Sequence, residues 1–144
     1  MIGELSRSAR SERSEDRPMA IQRILLIDDD RTWSEAVVAL LGMEGFDVDT
    51  APNGRRGLEL LDHTVPQLVI LDVHMPGLTG FEVLRELRQR MPHVPVLMVS
   101  SDDHAGPMAE ALTEGASSFL RKPITVELLL RAVRRLTTTS TRRE

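Results

Sequence analysis

Asp28, Asp29 and Asp30 stand directly after the apolar run Ile24-Leu25-Leu26-Ile27, and Asp72 stands directly after a second run, Leu68-Val69-Ile70-Leu71. Two further apolar runs end in groups that complement carboxylates: Val96-Leu97-Met98-Val99 closes on Ser100, Ser101 and Asp102, and Ser118-Phe119-Leu120 closes on Arg121 and Lys122. Carboxylates crowded into one place repel one another by several kcal/mol at the effective dielectric of a protein surface, so such a cluster calls for a cation. A hard divalent ion held by carboxylates, a backbone carbonyl and waters meets that need, and Mg²⁺ in such a setting also binds phosphate oxygens. With a phosphoryl group beside it, the Asp72 carboxylate can act as a nucleophile and form an acyl phosphate. The Ser100 hydroxyl and the Lys122 ammonium can then each serve one phosphoryl oxygen. Lys122 is the single lysine beside 17 arginines, which points to a place that needs a compact ammonium on a flexible stem.

These residues come to one site only if the chain folds so that the four apolar runs end at the same edge. The runs read as strands buried on both faces, the kind found in parallel sheets. Phe46 to Thr50 reads as a further, less apolar strand. Between strands, apolar residues recur at helical spacing: Trp33, Ala36, Val37, Leu40 and Leu41; Leu58, Leu60 and Leu61 in a helix beginning near Asn53; Phe81, Val83, Leu84 and Leu87 in one from about Thr79 to Arg90. Pro107 suits the first turn of a helix running to Glu114, and Thr125 can cap a last one carrying Val126, Leu129, Leu130, Val133 and Leu136. Strict alternation of five strands and five helices predicts an α/β, doubly wound parallel sheet with helices on both faces. In such sheets ligands bind at the carboxyl ends of the strands, where the strand order reverses. The polar residues that follow each strand therefore share one edge.

Other chemistries fail on their residues. No Gly-rich phosphate loop ending in Lys-Ser or Lys-Thr follows the first strand, and no Gly-x-Ser-x-Gly is present. His63, His74, His93 and His104 lack metal-binding spacing. The stretch 18–130 holds nine basic and 17 acidic residues, a balance that argues against direct nucleic-acid binding, because phosphate contacts need positive charge. No apolar run approaches the length of a membrane helix. The absence of cysteine excludes disulfides and thiolate metal sites, and a cytoplasmic location is expected. Residues 1–20, rich in Ser, Arg and Glu, are expected to be a flexible leader, with Met19 a candidate start of translation; residues 21–137 are expected to form the folded domain and 138–144 a flexible tail, and the stretch after Leu136 is too short for an effector, which fits a complete protein and a piece of a longer one equally.

The segments ILLIDDD, LVILDVHMPGLTGFEVLRELR, PVLMVSS and GASSFLRKPIT resemble, in order and spacing, the motifs of receiver domains of bacterial response regulators, including the chemotaxis response regulator, over about residues 21–137. The resemblance implies a flavodoxin-like (βα)5 fold with strand order 2-1-3-4-5. It makes Asp72 the phosphoacceptor, and Asp28 and Asp29 the acidic pair, with Asp29 on Mg²⁺ directly and Asp28 largely through water. His74 would supply its backbone carbonyl to the metal, so that the metal set is Asp28, Asp29, Asp72 and His74. Ser100 and Lys122 complete the catalytic group, the Lys122-Pro123 bond is expected to be cis, and Ser100 with Phe119 form the switch that remodels the face of the fourth helix, fifth strand and fifth helix. The side chains of His74 and Asp102 occupy positions that tune how fast the acyl phosphate hydrolyses. Asp30 is expected to be a surface residue or helix cap, and Trp33 to lie just beyond the acidic pair, where its fluorescence would report Mg²⁺.

The resemblance implies a phosphorylation-controlled switch. A sensor histidine kinase or histidine phosphotransfer protein would donate the phosphoryl group, and the domain itself would catalyse transfer and slow hydrolysis. A downstream protein partner, with a phosphorylation-dependent homodimer as a further option, would read the altered face. A phosphorylation-independent interaction module of the same fold is the alternative, opposed by the intact acidic pocket. A small-molecule phosphatase or mutase with an Asp nucleophile is a third reading, opposed by the lack of an insertion long enough to enclose a substrate.

Overall fold

The computed structural model describes residues 22–101 and 105–142. The expected leader 1–20 and Asp102 lie outside the described residues. Strands and helices alternate without exception: β1 (Gln22–Ile27), α1 (Arg31–Met43), β2 (Phe46–Ala51), α2 (Gly54–Leu61), β3 (Leu68–Asp72), α3 (Gly80–Arg90), β4 (Val96–Ser100), α4 (Ala105–Thr113), β5 (Ser118–Arg121) and α5 (Val126–Arg142). The five strands form one parallel sheet in the order β2-β1-β3-β4-β5. This is the flavodoxin-like arrangement expected, with the reversal of strand order between β1 and β3.

Alternation along each strand divides the core into two layers. Leu25, Ile27, Val69, Leu71, Val96 and Met98 face Leu61 of α2, Val83, Leu84 and Leu87 of α3, and Ala111 of α4. Their neighbours Ile24, Leu26, Leu68, Ile70, Leu97 and Val99 face Val37 and Leu41 of α1 and Leu129, Val133 and Leu136 of α5. β3 and β4 are buried along their whole length, which is why their sequences are continuous apolar runs.

The helices begin where the polar punctuation sets them. Asp30 accepts from the Trp33 amide and caps α1, and Asn53 accepts from the Arg56 amide and caps α2. Thr79 and Glu82 form a reciprocal capping box at α3, and the Thr125 hydroxyl accepts from the Leu128 amide at the start of α5. Each satisfies an amide that the first turn leaves open. α5 runs to Arg142, so the expected tail 138–144 begins inside this helix. The apolar pattern ends at Leu136, but once the helix is nucleated each further residue adds a backbone hydrogen bond without a new nucleation cost. The buried Thr137 hydroxyl donates 2.8 Å to the Val133 carbonyl of the preceding turn. Among the described residues no helix is long and apolar enough to cross a membrane.

At the other edge of the sheet from the polar cluster, Arg88 of α3 ties together the segments that lead into β4 and β5. Its guanidinium donates to the carbonyls of Val94 at 2.8 Å, Gly115 at 2.9 Å and Met91 at 3.3 Å.

Candidate functional site

β1 and β3 are neighbours in register, with Ile27 opposite Leu71. The residue that follows each pair member, Asp28 or Asp72, therefore emerges at the same level. Both are buried, Asp28 at 3% and Asp72 at 6% exposure, and the exposed Asp29 completes a group in which one carboxylate oxygen from each residue lies within 4.8 Å of the other two. Ser100 ends β4 and is fully buried. Its carbonyl accepts from the Lys122 amide at 2.8 Å, so that the end of β5 is fastened beside the end of β4.

Lys122 turns its side chain into this edge. Its Nζ donates to Asp28 Oδ2 at 2.9 Å, and the Asp28 side chain is fully shielded from solvent. The other oxygen, Oδ1, accepts from the Asp30 amide at 2.8 Å. Asp30 in turn caps Trp33, and the Trp33 ring lies under the ammonium with Lys122 Nζ 4.4 Å from its centroid. Asp28, Asp30, Trp33 and Lys122 thus close a circuit of contacts around the mouth of the pocket. The Lys122-Pro123 bond is cis, as expected from the resemblance.

Electrostatics single out Asp72 among the carboxyls of the described residues. Burial pushes its carboxyl up to about 7 from an ordinary 3.8, and the neighbouring Asp28, then Asp29, push in the same direction. Lys122 and the His74 backbone N–H, which bonds to the carboxyl, oppose the shift without reversing it. A cluster of three carboxylates that still raises one of them is short of positive charge. Its all-oxygen donor set fits a hard divalent cation such as Mg²⁺. The candidate metal group consists of Asp28, Asp29 and Asp72; the imidazole of His74, exposed beside the pocket, is not in it.

Phe119 is half-buried on β5, opposite Met98, and packs against the core layer that faces α2, α3 and α4. Sequence reasoning did not single out Gly80. A Cβ on this residue would stand 2.2 Å from the Asp72 carbonyl oxygen and 2.8 Å from the Val73 Cα. Its amide donates to the Val73 carbonyl at 2.9 Å. The start of α3 is therefore pressed against the backbone that carries Asp72, which only a glycine allows. The signal was a glycine in the first turn of a helix immediately after its cap.

The family model described as the response regulator receiver domain matches residues 24–134. Response regulator MprA of Mycolicibacterium vanbaalenii is 39% identical over 114 residues, covering 79% of this chain and 49% of that protein. The protein of the same name from Mycobacterium leprae is 37% identical over 114 residues, covering 79% and 50%. The chain thus spans about half the length of the curated relatives it matches. Among solved structures, a response regulator receiver domain protein from Clostridium thermocellum superposes with a TM-score of 0.81 at 30% identity, covering 86% of this chain and 100% of that one. The chemotaxis protein CheY4 of Vibrio cholerae does so with a TM-score of 0.77 at 30% identity, covering 81% and 99%. With the fold, the acidic cluster and these likenesses in agreement, the chain belongs to the receiver domains of two-component response regulators.

Proposed function

We propose that this receiver takes a phosphoryl group onto Asp72 from a histidine kinase or histidine phosphotransfer protein, with Mg²⁺ bound, and thereby alters the face built by α4, β5 and α5. The observation that carries the reading is the buried Asp72 carboxyl crowded by Asp28 and Asp29 with Lys122 alongside.

Asp28, Asp29 and Asp72, with the His74 backbone carbonyl, would hold the Mg²⁺. When bound, the ion supplies positive charge that stabilises the carboxylate form of Asp72 and the oxygens of an incoming phosphoryl group. An Asp72 carboxylate oxygen attacks phosphorus, an O–P bond forms, and the bond from phosphorus to the donor's nitrogen or oxygen breaks, its electron pair leaving with the donor. Lys122 turns a donor toward one phosphoryl oxygen and the Ser100 hydroxyl serves another. In this reading Phe119 follows Ser100 and reshapes the face behind it. Apolar side chains that a protein partner, or a second copy, could cover are already exposed on α4, at Met108 and Leu112, and in the first turn of α5, at Val126 and Leu128.

Incubation with Mg²⁺ and radiolabelled acetyl phosphate tests this. The protein is expected to become labelled, and Asp72→Asn to abolish the label. An equally labelled mutant moves the nucleophile elsewhere, and an unlabelled native protein leaves the phosphorylation-independent interaction module as the better reading.

A further inference from the structure

The chain contains one tryptophan and one lysine, and the two touch. From the contact between the Trp33 ring and the Lys122 ammonium we infer that Trp33 is a positioning residue for phosphoryl transfer, acting through Lys122. The inference rests on the reading of Asp72 as phosphoacceptor.

A lysine side chain has four rotatable carbon links and gives up much rotamer freedom when fixed. An ammonium at the rim of a pocket can as readily point to water. Here it is confined from two sides. The Asp28 carboxylate draws it inward at 2.9 Å, and the indole face, 4.4 Å from Nζ, covers it. Tryptophan offers the best ring face to a cation, and the attraction grows where water is partly excluded. The Lys122 side chain is only 15% exposed. The ring is itself placed by the same pocket: Asp28 accepts from the Asp30 amide, and Asp30 caps the Trp33 amide. An acidic residue that holds Lys122 thus also sets the element that carries its cover. Held there, the ammonium acts on Asp72 as well, favouring its carboxylate form.

A purely structural role has to be separated from this one, because Trp33 also packs against the core layer shared by α1 and α5. A double-mutant cycle does so. Acetyl phosphate labelling is followed in the native protein, in Trp33→Leu, Trp33→Phe and Lys122→Met, and in Trp33→Leu combined with Lys122→Met, with thermal unfolding of each as a control. Trp33→Leu is expected to slow labelling about 3- to 10-fold, Trp33→Phe to retain most of the rate, and Trp33→Leu to add nothing once Lys122 is gone. NMR of the lone lysine gives a second readout. Its terminal methylene resonances should lie upfield in the native protein, shifted by the ring, and return toward the free-lysine position in Trp33→Leu. If the two substitutions multiply in the cycle, or the lysine resonances are unmoved by Trp33→Leu, the inference is overturned while the role of Asp72 stands. Absence of Asp72-dependent labelling in the native protein overturns both.

Discussion

Lys122 Nζ sits on Asp28 Oδ2, 2.9 Å away, across 94 residues of chain, and the carboxylate it meets is wholly buried. Each group owes its tolerable burial to the other. Replacing Lys122 by Ala is expected to destabilise the domain by about 2–4 kcal/mol at neutral pH, because it leaves a buried carboxylate without its counter-charge. Adding Asp28→Asn to that variant should restore much of the loss. Urea unfolding of the two variants checks this; equal stability for Lys122→Ala and the native protein would show that the pair contributes nothing.

The pH dependence follows from Asp72. Its carboxyl titrates near 7 in the folded domain and near 3.8 when unfolded. Between those values the folded state binds more protons, so stability falls as pH rises from about 4 through about 7 and stays lower above. A shift of that size corresponds to roughly 4 kcal/mol in a sealed interior; solvent at the pocket mouth reduces it to the order of 1–2 kcal/mol. In metal-free buffer Asp72→Asn should therefore be more stable than the native protein by that amount at about pH 8, with the gain shrinking toward about pH 4. Denaturant midpoints measured across that span decide it, and a gain independent of pH would contradict the assignment.

Gly80→Ala exchanges a small gain for a larger loss. Alanine improves helix propensity by about 1 kcal/mol in a helix interior, and by less at a first turn. The new methyl would stand 2.2 Å from the Asp72 carbonyl oxygen, a backbone atom that cannot swing aside. A net loss of about 1–3 kcal/mol is expected, together with slower acetyl phosphate labelling, since the displaced backbone carries the proposed acceptor, Asp72. Thermal unfolding and labelling should move together; unchanged values in both would mean that α3 shifts freely.

In the proposed reaction, the lifetime of an acyl phosphate on Asp72 would depend on water reaching phosphorus. His74 is exposed beside Asp72, and we expect its ring, with the acidic side chain of Asp102, to govern that access. His74→Asn and Asp102→Ala should each change the dephosphorylation rate by about 3-fold or more, of the order of 1 kcal/mol in barrier. Decay of the label after removal of acetyl phosphate measures it, and the idea fails if neither rate moves.

Much of this was legible in the sequence because the fold rests on burial and punctuation, both written locally. Continuous apolar runs such as Leu68–Leu71 announced strands covered on both sides, and Asp30, Asn53, Thr79 and Thr125 announced where helices begin. The topology then brought Asp28, Asp29 and Asp72 together without further information. The length of α5 was not legible, because a polar helix extension and a polar tail have the same composition. Nor were the partners of Lys122. Its bond to Asp28 and its seat over Trp33 join residues 94 and 89 positions apart, and nothing local in either segment specifies which carboxylate or which ring an ammonium will choose. Gly80 was missed for a related reason, since its role lies in what its absent side chain would strike.

The pairing of Ile27 with Leu71 makes the sheet a ruler for the chemistry at its end. Side chains alternate along a strand, so inserting or deleting one residue within β1 or β3 would turn every later side chain to the opposite layer and send one aspartate to the far side of its partner. Insertions in the loop between Ala51 and Gly54, or after Arg90, leave that count unchanged. Length variation among such domains should accordingly collect in the connections, while the spacing from strand start to acidic residue stays fixed even where the apolar residues themselves are exchanged.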